Sequence, residues 1–182
     1  MRALLIVLVG LLVGCAKTKD VNGVPNLVQV EPGLWRSGQP TTSAEWAYLK
    51  SLGVHHIVKL NFESEGSDGD ATAAGLDVHV LSIQPEGDKD IFDNVTNTFV
   101  RPDVTKVVEA ERIVSRGEGV LVHCTHGQDR TGLVIGIYRV MHKQMSKDAA
   151  YGEMLKNYFH PELHGLHEFW EDFDGTLPGI SQ

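Results

Sequence analysis

The run from Val120 to Gly132, Val-Leu-Val-His-Cys-Thr-His-Gly-Gln-Asp-Arg-Thr-Gly, decides the fold. Val120–His123 is a short buried strand, and Thr131–His142 (TGLVIGIYRVMH) is mostly apolar and long enough for a buried helix starting at about Arg130. The loop between them sits at a helix N-terminus, where backbone N–H groups can turn inward and the helix dipole adds positive potential. Cys124 opens that loop, so its sulfur lies beneath the same focus of positive potential, a setting that suits a nucleophilic cysteine. Arg130 closes it, with a planar fork that can grip two oxygens of an oxyanion. With Gly127, Thr131 and Gly132, a single nine-residue stretch joins a sulfur nucleophile to an anion cradle. A cysteine or an arginine alone at such a place reads as structural; the two together in this context do not.

On both sides of this unit, strand and helix signals alternate. Gly33–Ser37 (GLWRS) is a strand candidate. Thr42–Leu52 is a helix capped by Thr42 or Ser43 and ended by Gly53, and Val54–Leu60 is a strand. Glu63–Gly75 is polar and glycine-rich, with one helical turn at Asp70–Ala74. Leu76–Ile83 alternates as a strand, and Gln84–Asp90 is a loop. A helix is expected at about Ile91–Val100 and a clearer one at Asp103–Ser115, opened by Pro102-Asp103 and closed by Gly117. Ser146 caps Lys147–Tyr158, and Gly165–Phe173 forms the last helix. The order predicts one α/β domain with a small, mainly parallel sheet flanked by helices.

The stretch His123-Cys-Thr-His-Gly-Gln-Asp-Arg-Thr-Gly132 resembles the signature of the cysteine-based protein tyrosine phosphatase superfamily: His-Cys, five residues, Arg, then Ser or Thr. Trp35-Arg36-Ser37-Gly38-Gln39-Pro40, the helix after it and Val54–Asn61 are similar to the start of the compact atypical dual-specificity phosphatases, a group that includes relatives acting on inositol phosphates. The resemblance spans roughly Pro25–Asp174. It implies the α/β fold of that superfamily, a phosphoric monoester hydrolase working through a phosphocysteine, and no metal or other cofactor. By that resemblance Cys124 attacks phosphorus, and Arg130 binds substrate and stabilises the equatorial oxygens. Thr131 hydrogen-bonds the sulfur, and His123 supports the loop. The N–H groups of Thr125, His126, Gly127, Gln128, Asp129 and Arg130 line the phosphate.

The same resemblance implies an acid that protonates the leaving oxygen, carried on a loop upstream of the nucleophile. Gln84–Asn94 offers Asp88, Asp90 and Asp93, and Asp90 beside Lys89 is favoured. Asp129 competes: an Asp directly before the arginine resembles the loops of myotubularins and some bacterial lipid phosphatases. Asp103 reads as a helix cap. Lys89, Lys59, Arg36 and His126 are expected to form a positive rim. His126 and Gln128 are not the basic pair of many phosphoinositide-specific loops. Soluble inositol polyphosphates, the substrates of phytases of this type, therefore lead, ahead of phosphotyrosine, phosphoinositides and small phosphomonoesters. His160, His164 and His167 have spacings compatible with metal ligation but read as structural, and Trp170 with Phe169 and Phe173 reads as a helix packing on the core.

The chain has 182 residues, 42% of them hydrophobic, enough for one domain with a real core. A net charge of −8 argues against a general nucleic-acid binder, and two cysteines can make neither a disulfide framework nor a four-cysteine zinc site. Ala3–Val13 (ALLIVLVGLLV) follows Arg2 and is too short to span a bilayer, but it fits the apolar region of a signal peptide. Leu12-Val13-Gly14-Cys15 resembles the lipobox of bacterial lipoproteins. Residues 1–14 are then a signal peptide, Cys15 the lipidated first residue, 15–24 a tether and 25–182 the domain. The mature chain would carry 15 − 24 = −9 charges, since Arg2 is lost. The expected place is extracytoplasmic, with membrane contact through the anchor only. A soluble secreted form is the alternative, and a monomer is expected.

Two readings from other classes use the same residues. A rhodanese-type sulfurtransferase also has a cysteine-headed anion loop, although typically one residue shorter. A silent phospho-binding module would not need both Cys124 and Arg130 intact.

Overall fold

Val28–Glu31 (β1) and Leu34–Ser37 (β2) pair as an antiparallel hairpin whose turn uses Gly33 at φ +81°. The computed structural model describes residues 20–180, so Cys15 and the signal segment lie outside the described residues. α1 (Ser43–Ser51) begins with a capping box: Glu45 N donates to Thr42 Oγ1 while the Glu45 carboxylate accepts from Thr42 N. β3 (His56–Lys59), α2 (Gly69–Ala73) and β4 (Asp77–Val80) follow. After a short hairpin of β5 (Phe92–Asp93) and β6 (Thr98–Phe99) comes α3 (Val104–Val114), whose first turn is capped by Asp103. β7 (Val120–His123), α4 (Asp129–Lys143), α5 (Lys147–Lys156) and α6 (His164–Asp172) complete the described chain. None of these helices is long and apolar enough to cross a membrane.

The five-stranded sheet runs β1-β2-β7-β3-β4, parallel throughout except for β1 at the edge. Side chains alternate along each strand, and helices cover both faces. Val120 and Val122 of β7 and Val58 of β3 enter the core under α3 to α6, whereas Leu121 and Ile57 enter a second core with Trp46 and Leu49 of α1 and Ala71 of α2. That double burial makes the central strand wholly apolar up to its histidine. α4 is buried over most of its length, and Gly136 lets it lie close to its neighbours: a Cβ there would fall 2.6 Å from Met154 Sδ.

Three expectations are corrected. Ile91–Val100 is not a helix. Asp93 Oδ1 accepts Val95 N at 2.8 Å and Asn97 takes φ +56°, which turns the chain back so that Phe92 and Phe99 pair with ring centroids 5.3 Å apart. A strand precedes the first one expected, because Val28–Glu31 covers the outer edge of β2. The end of the expected tether belongs to the folded part: Val21 and Val24 bridge to each other, and Val24 is buried in the second core.

Ser37 pairs with His123, and His123 with Lys59, so β2, β7 and β3 finish level. The segments after these three strands therefore meet at one end of the sheet, where ligands bind in open parallel folds.

Candidate active site

Cys124–Gln128 follows β7, and the carbonyls of Thr125 to Gln128 each accept a hydrogen bond from elsewhere in the fold. Gln39 N donates to Thr125 O (3.0 Å), Asn26 Nδ2 to His126 O (2.7 Å), and Arg36 Nη2 to Gly127 O (2.7 Å) and Gln128 O (3.4 Å). In a trans peptide each C=O points away from the next residue's N–H. The amides of His126, Gly127, Gln128 and Asp129 therefore turn the other way, into the ring that Cys124 opens. Gly127 sits at φ +72° with its backbone pressed on the end of β2, where a Cβ would fall 2.3 Å from Ser37 C. Only glycine fits there.

Arg130 is fully buried, and its fork is held by a residue that the sequence reading passed over. Nη1 and Nη2 donate to the two carboxylate oxygens of Glu65, each at 2.7 Å. Glu65 also accepts from Thr125 Oγ1 (2.8 Å), Phe62 N (2.8 Å) and Gly87 N (3.0 Å). Burial works upward on this carboxyl, but Arg130, the Phe62 amide and the Thr125 hydroxyl outweigh it and hold it at about 2. Arg130 is thus fixed by a carboxylate from the segment after β3.

That segment is itself braced from below. Lys59, fully buried at the end of β3, donates to Gly66 O and lies 3.0 Å from Glu63 Oε1 and 3.6 Å from Asp68 Oδ1. Asp68 receives Gln39 Nε2 at 2.7 Å and lies 2.9 Å from His123 Nε2, and Asn61 Nδ2 donates to Gln39 at 2.8 Å. Burial raises and His123, Gln39 and Lys59 lower the Asp68 carboxyl, with a net downward shift. His123 supports the loop through this buried network, as expected. The signal for it in sequence was faint: Lys59 and His123 end adjacent strands, and Glu63, Glu65 and Asp68 follow in a stretch that otherwise reads as solvated loop.

Two members of the expected positive rim are therefore corrected. Both are buried: Arg36 donates to the loop carbonyl of Gly127, and Lys59 to the Gly66 carbonyl in the segment after β3. Burial pushes Arg36 down to about 10, with Cys124 the largest charge acting in the opposite direction, so it stays cationic at neutral pH behind the sulfur. Lys89 and His126 are exposed. The expected bond from Thr131 to sulfur is not formed. Its Oγ1 is buried with no hydrogen-bond partner among the described residues, and a thiol is a weak acceptor.

The acid candidates have structural partners. Asp90 accepts His164 N at 2.6 Å and Gly165 N at 3.1 Å, with His164 Nδ1 at 2.9 Å, and so caps α6 from a distance. Asp93 holds its own turn. Asp129 accepts His160 N at 2.7 Å and lies 3.0 Å from His160 Nδ1, joining the loop to the segment before α6. The Asp88 side chain lies outside the described atoms. His160 and His164 are thus spent on separate carboxylates and His167 faces Tyr151, so the three do not converge on one point. Trp170 is buried in the main core, as expected.

Beside the loop, His126, Gln128, Asp129, His160, Glu162 and Leu163 line a cavity of about 320 Å³. A larger one, about 510 Å³, runs along α3 and does not touch the loop. Taken together, the loop offers a concave ring of amides, a fixed guanidinium and a sulfur at the start. It is suited to hold a tetrahedral oxyanion against a nucleophile.

Known proteins resemble this chain in sequence and in fold. The dual specificity protein phosphatase TpbA of Pseudomonas aeruginosa is 31% identical over 129 residues, covering 71% of this chain and 53% of that protein. The inositol diphosphatase DSP2 of Oryza sativa is 30% identical over 120 residues, covering 65% of this chain and 55% of the relative. The chain thus spans little more than half the length of these curated relatives. The crystal structure of TpbA superposes with a TM-score of 0.64 at 24% identity, over 87% of this chain and 90% of that one. The catalytic core of the phosphatase SIW14 from Saccharomyces cerevisiae does so with 0.64 at 20% identity, over 83% and 86%. Residues 24–173 match the model of the tyrosine phosphatase family, and the chain belongs to that family.

Proposed function

We propose that this chain is a cysteine-dependent phosphatase that works through a phosphocysteine intermediate on inositol polyphosphates, those carrying a diphosphate included. One observation carries the reading: the carbonyls of Thr125 to Gln128 are bound on the outer side, leaving the amides of His126 to Asp129 for a phosphoryl group between Cys124 and the clamped Arg130. The Cys124 sulfur attacks phosphorus, forming an S–P bond as the P–O bond to the leaving group breaks. Arg130 and the amides stabilise charge on the equatorial oxygens. Water then attacks phosphorus and the S–P bond breaks, releasing phosphate and returning the Cys124 thiolate.

The leaving group bears on the substrate. Asp90, Asp93 and Asp129 each serve another contact, so the reaction needing least proton donation is favoured. A departing phosphate is a far weaker base than an alkoxide, which suits cleavage of a diphosphate. The relatives named inositol diphosphatases support the same direction. Phosphotyrosine is the second reading: a cysteine-to-serine form of TpbA has been crystallised with it, and an aryl oxide is also a good leaving group. We place the protein, with Cys15 lipidated, on the extracytoplasmic face of a bacterial membrane.

Phosphate release from inositol polyphosphates with and without a diphosphate, from phosphotyrosine peptide and from phosphoinositide tests this, with wild type and Cys124→Ser side by side. Cys124→Ser should lose at least a thousandfold in turnover. Retained activity in that variant refutes the mechanism. Thiocyanate formation from cyanide without phosphate release supports the sulfurtransferase. No turnover on any substrate supports the binding module.

A further inference from the structure

At the far end of the sheet from Cys124, three side chains meet that the phosphatase reading does not use. β3 and β4 are parallel neighbours with His56 opposite Asp77, and alternation along β4 puts His79 on the same face as Asp77. Asp77 Oδ2 lies 3.0 Å from His56 Nδ1 and 3.0 Å from His79 Nε2, and all three atoms fall within 4.8 Å of one another. The two rings stand side by side, with centroids 6.0 Å apart.

We propose that His56, Asp77 and His79 form a site for a divalent transition metal of the zinc type. A tetrahedral ion with bonds of about 2.0–2.1 Å separates its ligand atoms by about 3.3 Å, close to the two oxygen–nitrogen separations found here. His79 Nε2 supports this. It is buried and lies 3.0 Å from the same Asp77 oxygen that His56 Nδ1 approaches, so two imidazole nitrogens and one carboxylate oxygen converge on a single small space. Two neutral imidazoles and one carboxylate make a mixed donor set that suits zinc, cobalt, nickel or copper over magnesium or calcium. Three protein ligands leave the fourth position to water.

The site braces the edge strand and takes no part in the chemistry. His56 pairs with Val120, three residues before the strand end that carries the catalytic loop, so about 10 Å of strand separates the two ends. Binding the ion ties β4, the exposed edge of the sheet, to β3 through side chains in addition to the backbone ladder.

The test uses the full chain stripped with a chelator and titrated with Co²⁺, read by its visible d–d absorption, and with Zn²⁺ by calorimetry. The expected result is one equivalent bound, an affinity at least tenfold weaker in His79→Ala and in His56→Ala, and a melting temperature raised several degrees by Zn²⁺ in wild type only. His79→Gln guards against a folding defect, since it keeps a polar side chain of similar size, and circular dichroism must match wild type. His167→Ala and Cys124→Ser should bind like wild type; the latter separates this site from the catalytic thiol, so its failure and that of the phosphatase reading are distinct. Absence of saturable binding, or equal binding in wild type and both alanine variants, overturns the proposal.

Discussion

Replacing Glu65 with Gln removes one charge and little volume, and the structure sets the expected size of the effect. The carboxyl is moved from its ordinary 4.5 to about 2, which corresponds to about 3 kcal/mol in favour of the charged form. The side chain is 8% exposed, so some screening remains and about 2–3 kcal/mol is the figure to expect at neutral pH. For a domain of this size that lowers the melting temperature by about 5–10 °C. The sign with pH follows from the lowered value. Glu65 stabilises fully above about 4.5, and that contribution is lost as pH falls towards 2, so the wild-type and Glu65→Gln curves should converge in acid. Arg130, buried and deprived of its counter-ion, loses its orientation, and kcat/KM on an aryl phosphate should drop about 10- to 100-fold, or about 1.4–2.7 kcal/mol. Phosphate or vanadate supplies the missing negative charge, so either should raise the variant's melting temperature more than that of wild type. Melting scans between pH 3 and 8 and initial rates measure all of this. A variant that melts within 1 °C of wild type and keeps kcat/KM within twofold would show that Glu65 does not hold Arg130 in place.

Glu111 should behave in the opposite way. It is fully buried on α3 with both oxygens unpartnered and its carboxyl pushed well up by burial, and His142 Nε2 is 3.8 Å away. Below about 4.5 both folded and unfolded forms are protonated. Above that the unfolded form ionises first, so wild-type stability falls with rising pH. Glu111→Met should therefore stabilise by about 1–3 kcal/mol, increasingly above pH 4.5, in paired denaturant titrations. Gly127→Ala forces a Cβ to 2.3 Å from Ser37 C at φ +72° and should cost at least 100-fold in kcat/KM with weaker vanadate binding; near-normal values would mean that the loop shifts freely.

Most of the fold, and the residues of the candidate loop, are legible in the sequence because those signals are local. Val120–His123 and the helix after it were legible from an apolar run that two buried faces demand, and the helix starts at Thr42, Asp103 and Ser146 from capping side chains that act within three residues. Cys124, Gly127 and Arg130 were legible as candidates because they stand close together on one short loop between a strand and a helix. Ile91–Val100 reads as a helix in the sequence, but the turn made by Asp93 and Asn97 folds it into a hairpin. Contacts between partners far apart in sequence are set by the folded chain alone. Glu65 meets Arg130 across 65 positions, Arg36 meets Gly127 across 91, and His123 meets Asp68 across 55. Asp90, the favoured acid, is drawn 74 positions away to cap α6. A basic or acidic side chain declares its charge in the sequence, but whether that charge faces substrate or a buried carbonyl is set by which strand ends the sheet brings level.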